Sequence, residues 1–168
     1  MKSTKYLSHL SMYIVLNIVV TKFIGVTTPI ARISFSFVVL GVSGLLHGSL
    51  FTAIVAVSAD LIRSILWPSG PYFWGFTFTA GCVGLLYGLF HKKEGNDLRK
   101  WIIIVVLIKS LVLHLGMNTY WLSILQQQPF WALIKVRVFK EVVMIPLQIA
   151  VNLYLLPKIG NQMKGMTQ

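Results

Sequence analysis

Long apolar runs separated by short polar segments are the feature that most constrains how this sequence can fold. The runs predict membrane spans at residues 7–24, 33–46, 49–66, 74–90, 101–125 and 136–156. A transmembrane helix needs about 20 predominantly apolar residues to cross about 30 Å of hydrocarbon. Six spans use most of the 168 residues and leave no room among them for a soluble domain. We therefore expect an all-α integral membrane protein, with residues 1–168 forming one bundle of six transmembrane helices.

The charge of the chain has to be interpreted by position. It carries 15 Lys and Arg against 4 Asp and Glu, a net charge of +11, which in a soluble protein would suggest a nucleic acid partner. Here the basic residues gather at both termini and in the polar loop at residues 91–100. These segments share one side of the membrane if the number of spans is even, and the positive-inside rule makes that side cytoplasmic. We expect cytoplasmic termini, membrane lipid as the surroundings and no nucleic acid partner.

The three connections on the opposite side differ in composition from the cytoplasmic ones. They are residues 25–32, 67–73 and 126–135, and they contain four of the six prolines and many of the aromatic residues. Proline restricts its own backbone and that of the residue before it, which predicts ordered loops. Ordered loops on a rigid scaffold often carry binding residues. The alternative is that the aromatic residues only anchor the protein at the lipid headgroups.

Two spans carry glycines at matching intervals. Gly41, Gly44 and Gly48 lie in or next to the second span, and Gly81, Gly84 and Gly88 lie in the fourth. This spacing places small residues along one face of each helix, which allows two helices to approach closely. The spacing predicts close packing, either within the chain or against a partner.

Ionisable residues within the spans are the first candidates for a binding site. Such residues are costly in a membrane and usually face a bundle interior or a cavity. They are Arg32, Asp60, Arg63, Lys109, Arg137, Lys140 and Glu141. Most of them fall in the outer half of the predicted bundle, where cations outnumber carboxylates. An anionic ligand would supply the missing partner.

Two of these positions suggest specific ligand chemistry. Arg137 and Lys140 are three residues apart, hence on one helical face, and can clamp a carboxylate. Asp60 can accept paired hydrogen bonds from an amino-substituted heterocycle. The alternatives are that Asp60 pairs with Arg63 one turn later and that Arg137 and Lys140 extend to the headgroups.

The remaining polar residues suggest neither a metal site nor catalysis. Lys109 is close enough to the cytoplasmic side of the fifth span that we expect it to extend toward that surface. His47 and His114 have no Cys, Asp or Glu at metal-ligand spacing, so we expect packing roles. The sequence has no zinc-protease, serine-hydrolase or nucleotide-binding motif. We therefore expect no cofactor, no metal and no enzymatic activity.

Several strings of residues, taken together, resemble a known family. They are RISFSF at 32–37, WPSGPYFWGFT at 67–77, NTYWL at 118–122, PFWA at 129–132, RVFKE at 137–141 and MIPLQ at 144–148. In combination they resemble the folate-specific S (substrate-binding) subunits of bacterial energy-coupling factor (ECF) transporters, over about residues 15–157. The family often has an Ala-x-x-x-Ala face on its first helix, where this chain has Ser11, Val15 and Val19.

The resemblance implies a function in vitamin uptake. An S subunit of this kind is a multi-pass protein of the bacterial cell membrane that captures folate at the outer face. Its partners are a transmembrane coupling subunit and two cytoplasmic ATPase subunits, which supply the ATP hydrolysis that this chain lacks. The alternative is an S subunit of the same architecture for another vitamin, such as thiamine or riboflavin.

Folate suits the residue types in the outer half of the bundle. Its pterin and benzoyl rings can stack on aromatic side chains, and its glutamate tail can bind Arg and Lys. The residues that we expect to line or close the pocket are Arg32, Ser34, Phe37, Asp60, Ser69, Tyr72, Phe76, Asn118, Trp121, Arg137 and Lys140.

Overall fold

The computed structural model describes residues 2–27, 32–68 and 71–165, and over these residues the chain is a bundle of six helices. This confirms the all-α fold. The helices are α1 (Lys2–Phe23), α2 (Ser36–His47), α3 (Ser49–Leu66), α4 (Trp74–Tyr87, followed by a 3-10 turn at Gly88–Phe90), α5 (Gly95–Gln126) and α6 (Phe130–Gly165). Between α1 and α2, the short strands β1 (Val26–Thr27) and β2 (Arg32–Ile33) pair in antiparallel fashion.

The distribution of side chains is that of a protein whose solvent is lipid. Large apolar residues such as Leu50, Phe78 and Phe139 point outward and are mostly exposed. Polar side chains such as Gln148 and Asn152 are buried inside the bundle. Four helices, α1, α3, α5 and α6, are long and apolar enough to cross a bilayer, while α2 and α4 are shorter apolar helices. The chain is therefore a multi-pass membrane protein.

Contacts between distant segments define the two ends of the bundle. At one end, the imidazole of His9 on α1 meets that of His47, and His91 contacts the carbonyl of Leu45. We call this the turn end, because it holds the tight turn between α2 and α3. At the other end, the loop end, Lys22 lies over the ring of Trp67. The connections that precede α2, α4 and α6 all lie at the loop end, as the sequence predicts. That the turn end is cytoplasmic stays a prediction.

Helix boundaries differ from the predicted spans at α1, α2, α5 and α6. Predicted spans 49–66 and 74–90 coincide with α3 and with α4 plus its 3-10 turn. However, α2 begins only at Ser36, because β2 pairs with β1 immediately before it. The fifth helix begins at Gly95, six residues before the predicted start at 101. That residues 1–168 form one domain stays a prediction.

The third loop-end connection is much shorter than residues 126–135. The backbone N–H groups of Ala132 and Leu133 donate to the carbonyl of Pro129, so α6 begins directly after that proline. Phe130 and Trp131 therefore lie in the first turn of α6, and their assignment to a loop was wrong.

The regularly spaced glycines pack the helices against one another within the chain. A Cβ on Gly44 would lie 2.2 Å from the carbonyl oxygen of Tyr87, and one on Gly84 would lie 2.5 Å from the Cα of Ala53. These contacts hold α2 against the end of α4 and α4 against α3. Gly48 has φ of +84°, which glycine adopts without strain, and joins α2 directly to α3.

The neighbouring helices α5 and α6 both depart from regular α-helix. Residues Lys109–Met117 of α5 form a π-helical segment, and Pro146 and Pro157 lie inside α6. A π turn is wider than an α turn, and a proline removes one backbone hydrogen bond from its helix. Both features locally change which side chains point inward.

The close glycine contact between α3 and α4 gives a stability prediction. Gly84→Ala should destabilise the protein by about 1–3 kcal/mol, because the new methyl group meets backbone atoms that cannot move aside. The measurement is the midpoint of thermal unfolding in detergent. Gly160→Ala is the matched control, since its nearest neighbour would be a leucine methyl group at 3.8 Å. Equal midpoints for the two variants would contradict the packing described above.

Candidate ligand-binding site

A small cavity of about 50 Å³ lies inside the bundle, between the segment that precedes α2 and the facing helices. Its walls come from that segment, α2, α4, the π-helical part of α5 and the middle of α6. Its lining residues are Ser34, Ser36, Phe37, Leu40, Val83, Tyr87, Lys109, His114, Lys140 and Gln148. One side of the cavity is thus apolar, and the side formed by α5 and α6 carries ionisable groups.

The polar side of the cavity contains two hydrogen-bonded groups. Lys109, only 2% exposed, donates to the side-chain oxygen of Gln148. Glu141, also 2% exposed, lies with one carboxylate oxygen 2.8 Å from the Lys140 ammonium and 3.4 Å from His114 Nδ1. We call these five residues the polar cluster. The π-helical segment carries Lys109 and His114, and its i→i+5 hydrogen bonding brings residues five apart onto one side of the helix.

Arg137 is a further buried cation close to the polar cluster. It precedes Glu141 by one helical turn on α6, and its guanidinium donates to the Thr119 hydroxyl on α5 at 3.2 Å. The predicted clamping of a carboxylate by Arg137 and Lys140 stays a prediction. The two residues share a face, but Lys140 is paired with Glu141 and lines the cavity, whereas Arg137 bonds to α5 beyond it.

Positive charge exceeds negative charge in this part of the bundle. The polar cluster and Arg137 together contain three basic side chains, Lys109, Lys140 and Arg137, and one carboxylate, Glu141. Lys140 is paired with that carboxylate, but no carboxylate of the described residues lies within ion-pair distance of Lys109 or Arg137. Each of these two cations bonds instead to a neutral side chain. A buried charge without a counter-charge is costly, so the arrangement favours an anionic ligand.

Asp60 belongs to a separate polar group nearer the loop end. One of its carboxylate oxygens accepts from Arg63, and the other accepts from the Thr77 hydroxyl at 2.9 Å. Thr77 also shares a hydrogen bond of 2.7 Å with the Tyr72 hydroxyl. The pairing of Asp60 with Arg63, which the sequence left open as an alternative, is thus present. This group ties α3, α4 and the connection between them together.

An aromatic group lies between the start of α4 and the end of α5. The Trp121 indole N–H donates to Thr79 at 3.3 Å, and the rings of Phe73 and Trp121 are 5.5 Å apart. Phe73 also contacts Phe76 edge to face. A Cβ on Gly75 would lie 2.6 Å from the Trp121 ring, so only glycine fits there without rearrangement. These rings form an apolar wall suited to a flat ligand.

The structure divides the residues predicted to bind a ligand among these groups. Ser34, Phe37 and Lys140 line the cavity, and Ser34 shares a hydrogen bond of 2.9 Å with Ser36. The others with described side chains lie in the loop-end groups or beside the polar cluster: Asp60, Tyr72, Phe76, Asn118, Trp121 and Arg137. The side chain of Arg32 and the whole of Ser69 lie outside the described part of the chain. Direct ligand contact by any of them stays a prediction.

The residues expected from the sequence to line the pocket did not include several polar residues that line the cavity. They are Ser36, Tyr87, Lys109, His114 and Gln148. The expectation that Lys109 extends to the cytoplasmic surface was wrong, because α5 starts six residues earlier than predicted and Lys109 lies about 9 Å deeper. Lys109 and Gln148 could have been found from the sequence because each is a polar residue within an otherwise apolar run.

The charge balance of the polar cluster gives a second prediction. Glu141→Gln should lower the free energy of unfolding by about 3 kcal/mol or more, because it leaves the buried cations without their carboxylate. Asp97→Asn is the control, since that carboxylate is exposed and its pairing with Lys93 contributes about 0–1 kcal/mol. Thermal unfolding in detergent measures both. A Glu141→Gln protein as stable as Asp97→Asn would show that the buried cations do not need Glu141.

Comparisons with known proteins agree with one another. The sequence profile of the family "ECF transporter, substrate-specific component" matches residues 5–156. A protein named folate transporter FolT from Clostridium novyi (strain NT) is 35% identical over 147 residues, covering 88% of this chain and 85% of that protein. A protein of the same name from Leuconostoc mesenteroides is 30% identical over 154 residues, covering 88% and 82%.

A solved structure is also similar over almost the whole chain. The crystal structure of FolT bound with folic acid has a TM-score of 0.84 and 28% sequence identity, and covers 90% of this chain and 92% of that one. The profile match and the similarity to the two FolT proteins each extend over most of the sequence. The chain therefore belongs to the family of substrate-specific components of ECF transporters.

Proposed function

We propose that this chain binds folate and is the folate-capturing subunit of an ECF transporter. The observation that carries the proposal is the excess of buried positive charge in and beside the cavity. Folate has a glutamate tail with carboxylates that can neutralise such cations, and flat rings that fit the aromatic wall near Trp121. The names of the similar proteins support the same ligand.

The charge also argues against the other vitamins considered. Thiamine is a cation, and it would add to the excess of positive charge near Lys109 and Arg137. Riboflavin is uncharged, and it would leave that excess unchanged. A dianionic ligand is the chemistry that the buried residues favour.

The ligand site that we propose runs from the loop-end groups to the cavity. Ser34, Phe37 and Lys140 would contact the ligand in the cavity. Arg137, Asn118 and the aromatic and polar groups around Asp60, Tyr72, Phe76 and Trp121 would surround its outer part, and Arg32 and Ser69 would close the loops over it. In this proposal the loop end faces outside and the turn end faces the cytoplasm of a bacterial cell.

The proposed transport cycle needs partners. A transmembrane coupling subunit and two cytoplasmic ATPase subunits would supply the energy for uptake, since the chain carries no nucleotide-binding motif. Val15 and Val19 of α1, which stand where the resemblance leads us to expect small residues, are exposed and available for contact with such a subunit or with lipid. Copurification of this chain with ATPase subunits from its own host would support this part of the proposal.

Calorimetry with the purified protein tests the ligand directly. Folic acid should bind with a dissociation constant at or below the micromolar range, while thiamine and riboflavin should give no measurable heat under the same conditions. Lack of folic acid binding at micromolar concentration would refute the proposed function. Binding of riboflavin or thiamine instead would favour the alternative of an S subunit for another vitamin.

Arg137 gives a second test of the same proposal. Arg137→Ala should weaken binding of folic acid at least tenfold and weaken pteroic acid, which lacks the glutamate, much less. Arg99→Ala, at an exposed position near the start of α5, should change neither affinity. Equal losses for folic and pteroic acids would place Arg137 away from the glutamate tail.

A further inference from the structure

The turn end of the bundle carries a group of imidazoles that lies outside the proposed ligand site. His9 Nδ1 on α1 lies 3.3 Å from His47 Nε2 at the end of α2, and the two rings meet edge to face. His91, just after the 3-10 turn that follows α4, bonds through Nδ1 to the carbonyl of Leu45. Three titratable side chains therefore lie where α1, the α2–α3 turn and the end of α4 meet.

The ring of His47 is held in place by aromatic neighbours. It stacks on Phe51 with a centroid separation of 4.2 Å, and Tyr13 of α1 meets it edge to face at 5.3 Å. His47 is partly buried, whereas His9 is exposed. The pair can therefore exchange protons with water at His9, while His47 cannot turn away without losing its ring contacts.

The helix that His9 attaches is the least enclosed of the four long spans. Only 17% of the apolar window of α1 is buried. Its buried face consists of Tyr13, Asn17 and Thr21, and His9 continues that face one turn earlier. Asn17 Nδ2 and Thr21 Oγ1 have no hydrogen-bond partner among the described residues. The bond from His9 to His47 is thus a polar attachment on a face whose next polar groups lack one.

The charges around His9 and His47 do not favour a second proton on the pair. The titratable and basic groups that face or flank it are Lys5 and Tyr13 on α1, and His91 and Lys92 after α4. The carboxylates closest in sequence to His91 are Glu94 and Asp97, which are exposed near the start of α5. Salt and water screen charges at such exposed positions. The groups closest to the pair are therefore neutral or basic.

We propose that His9 and His47 form an acid-sensitive tether, which releases the first half of α1 from the α2–α3 turn when both imidazoles are protonated. A hydrogen bond between two imidazoles needs an N–H on one ring and a lone pair on the other. One added proton leaves this possible. Two added protons leave only donors and bring like charges to 3.3 Å. The tether involves no residue of the proposed ligand site, so it goes beyond the proposed function.

Proton linkage gives the direction and size of the effect. The unperturbed pKa of histidine is about 6.5. Below that pH the separated imidazoles take up two protons, whereas the joined pair takes up one. A difference of one proton changes an equilibrium constant by up to about tenfold per pH unit. Between about pH 7.5 and about pH 5.5, the separated state should therefore gain at least about fivefold over the joined state.

Hydrogen exchange of backbone amides, measured by mass spectrometry on the full chain in detergent, tests the tether. Wild type and His9→Gln are compared at the same pH, so the intrinsic pH dependence of exchange cancels. Glutamine can bond to neutral or protonated His47, so its contact survives acidification. The ratio of wild-type to variant exchange rates for residues 4–12 should rise at least about fivefold between about pH 7.5 and about pH 5.5. An unchanged ratio would overturn the tether.

His91→Gln is the matched control at the same end of the bundle. The carbonyl of Leu45 can accept from neutral or protonated His91, so this contact does not depend on acidification. The variant should therefore keep the acid response of the wild type in residues 4–12. Loss of that response in His91→Gln would place the switch at His91 and overturn its assignment to His9 and His47.

A measurement within the wild type serves if His9→Gln does not fold. Residues 14–20 of the same helix contain no titratable side chain and provide an internal reference. After correction for intrinsic rates, acidification should speed exchange of residues 4–12 relative to residues 14–20 by at least about fivefold. Equal acceleration of both segments would show that the first half of α1 is not released and would contradict the proposal.

Discussion

The pairing of the buried carboxylate of Glu141 with the ammonium of Lys140 is the interaction on which the site depends. Glu141 contacts Lys140 and lies close to His114, so the cavity wall has an internal counter-charge. In a membrane interior, water cannot screen or replace that counter-charge. Among the described residues, the hydrogen-bond partners of Lys109 and Arg137 are the neutral side chains of Gln148 and Thr119. The protein can therefore hold its fold without ligand while keeping cations available for one.

The scaffold and the site are built from different interactions. Glycines bring α2, α3 and α4 into backbone contact through Gly44, Gly84 and Gly88. Such contacts depend on close fit between helices and need no polar group. They suit a lipid environment, where burying apolar side chains contributes little to the association of helices. The site lies where α5 and α6 depart from regular helix, and there polar side chains replace close packing. Rigid packing on one side thus positions a polar wall on the other.

The features that the sequence predicted well depend on length and spacing alone. Apolar runs located α3, and α4 together with its 3-10 turn, to the residue, and glycine intervals predicted close packing without its geometry. The depth of Lys109 was not predictable in this way, because it depends on where α5 begins. The hydrogen bond from Lys109 to Gln148 joins residues that are 39 positions apart in the sequence, so no local sequence pattern could predict it. Arg137 and Lys140 were recognised as ligand candidates, but the hydrogen bond of Arg137 to Thr119 on the neighbouring helix could not be predicted from a local pattern.

The π-helical segment of α5 has a consequence for how this protein could diversify. A π turn takes up one more residue than an α turn, so deleting a single residue within Lys109–Met117 would restore regular α-helix while the segments on either side keep nearly the same faces toward the bundle. Thr119 and Trp121 would stay inside, as would Leu98 and Ile102. The side chains within the segment, Lys109 and His114 among them, would shift relative to α6. One insertion or deletion here would therefore change the polar wall of the cavity and spare the glycine-packed scaffold, a short route to related chains with other cargo.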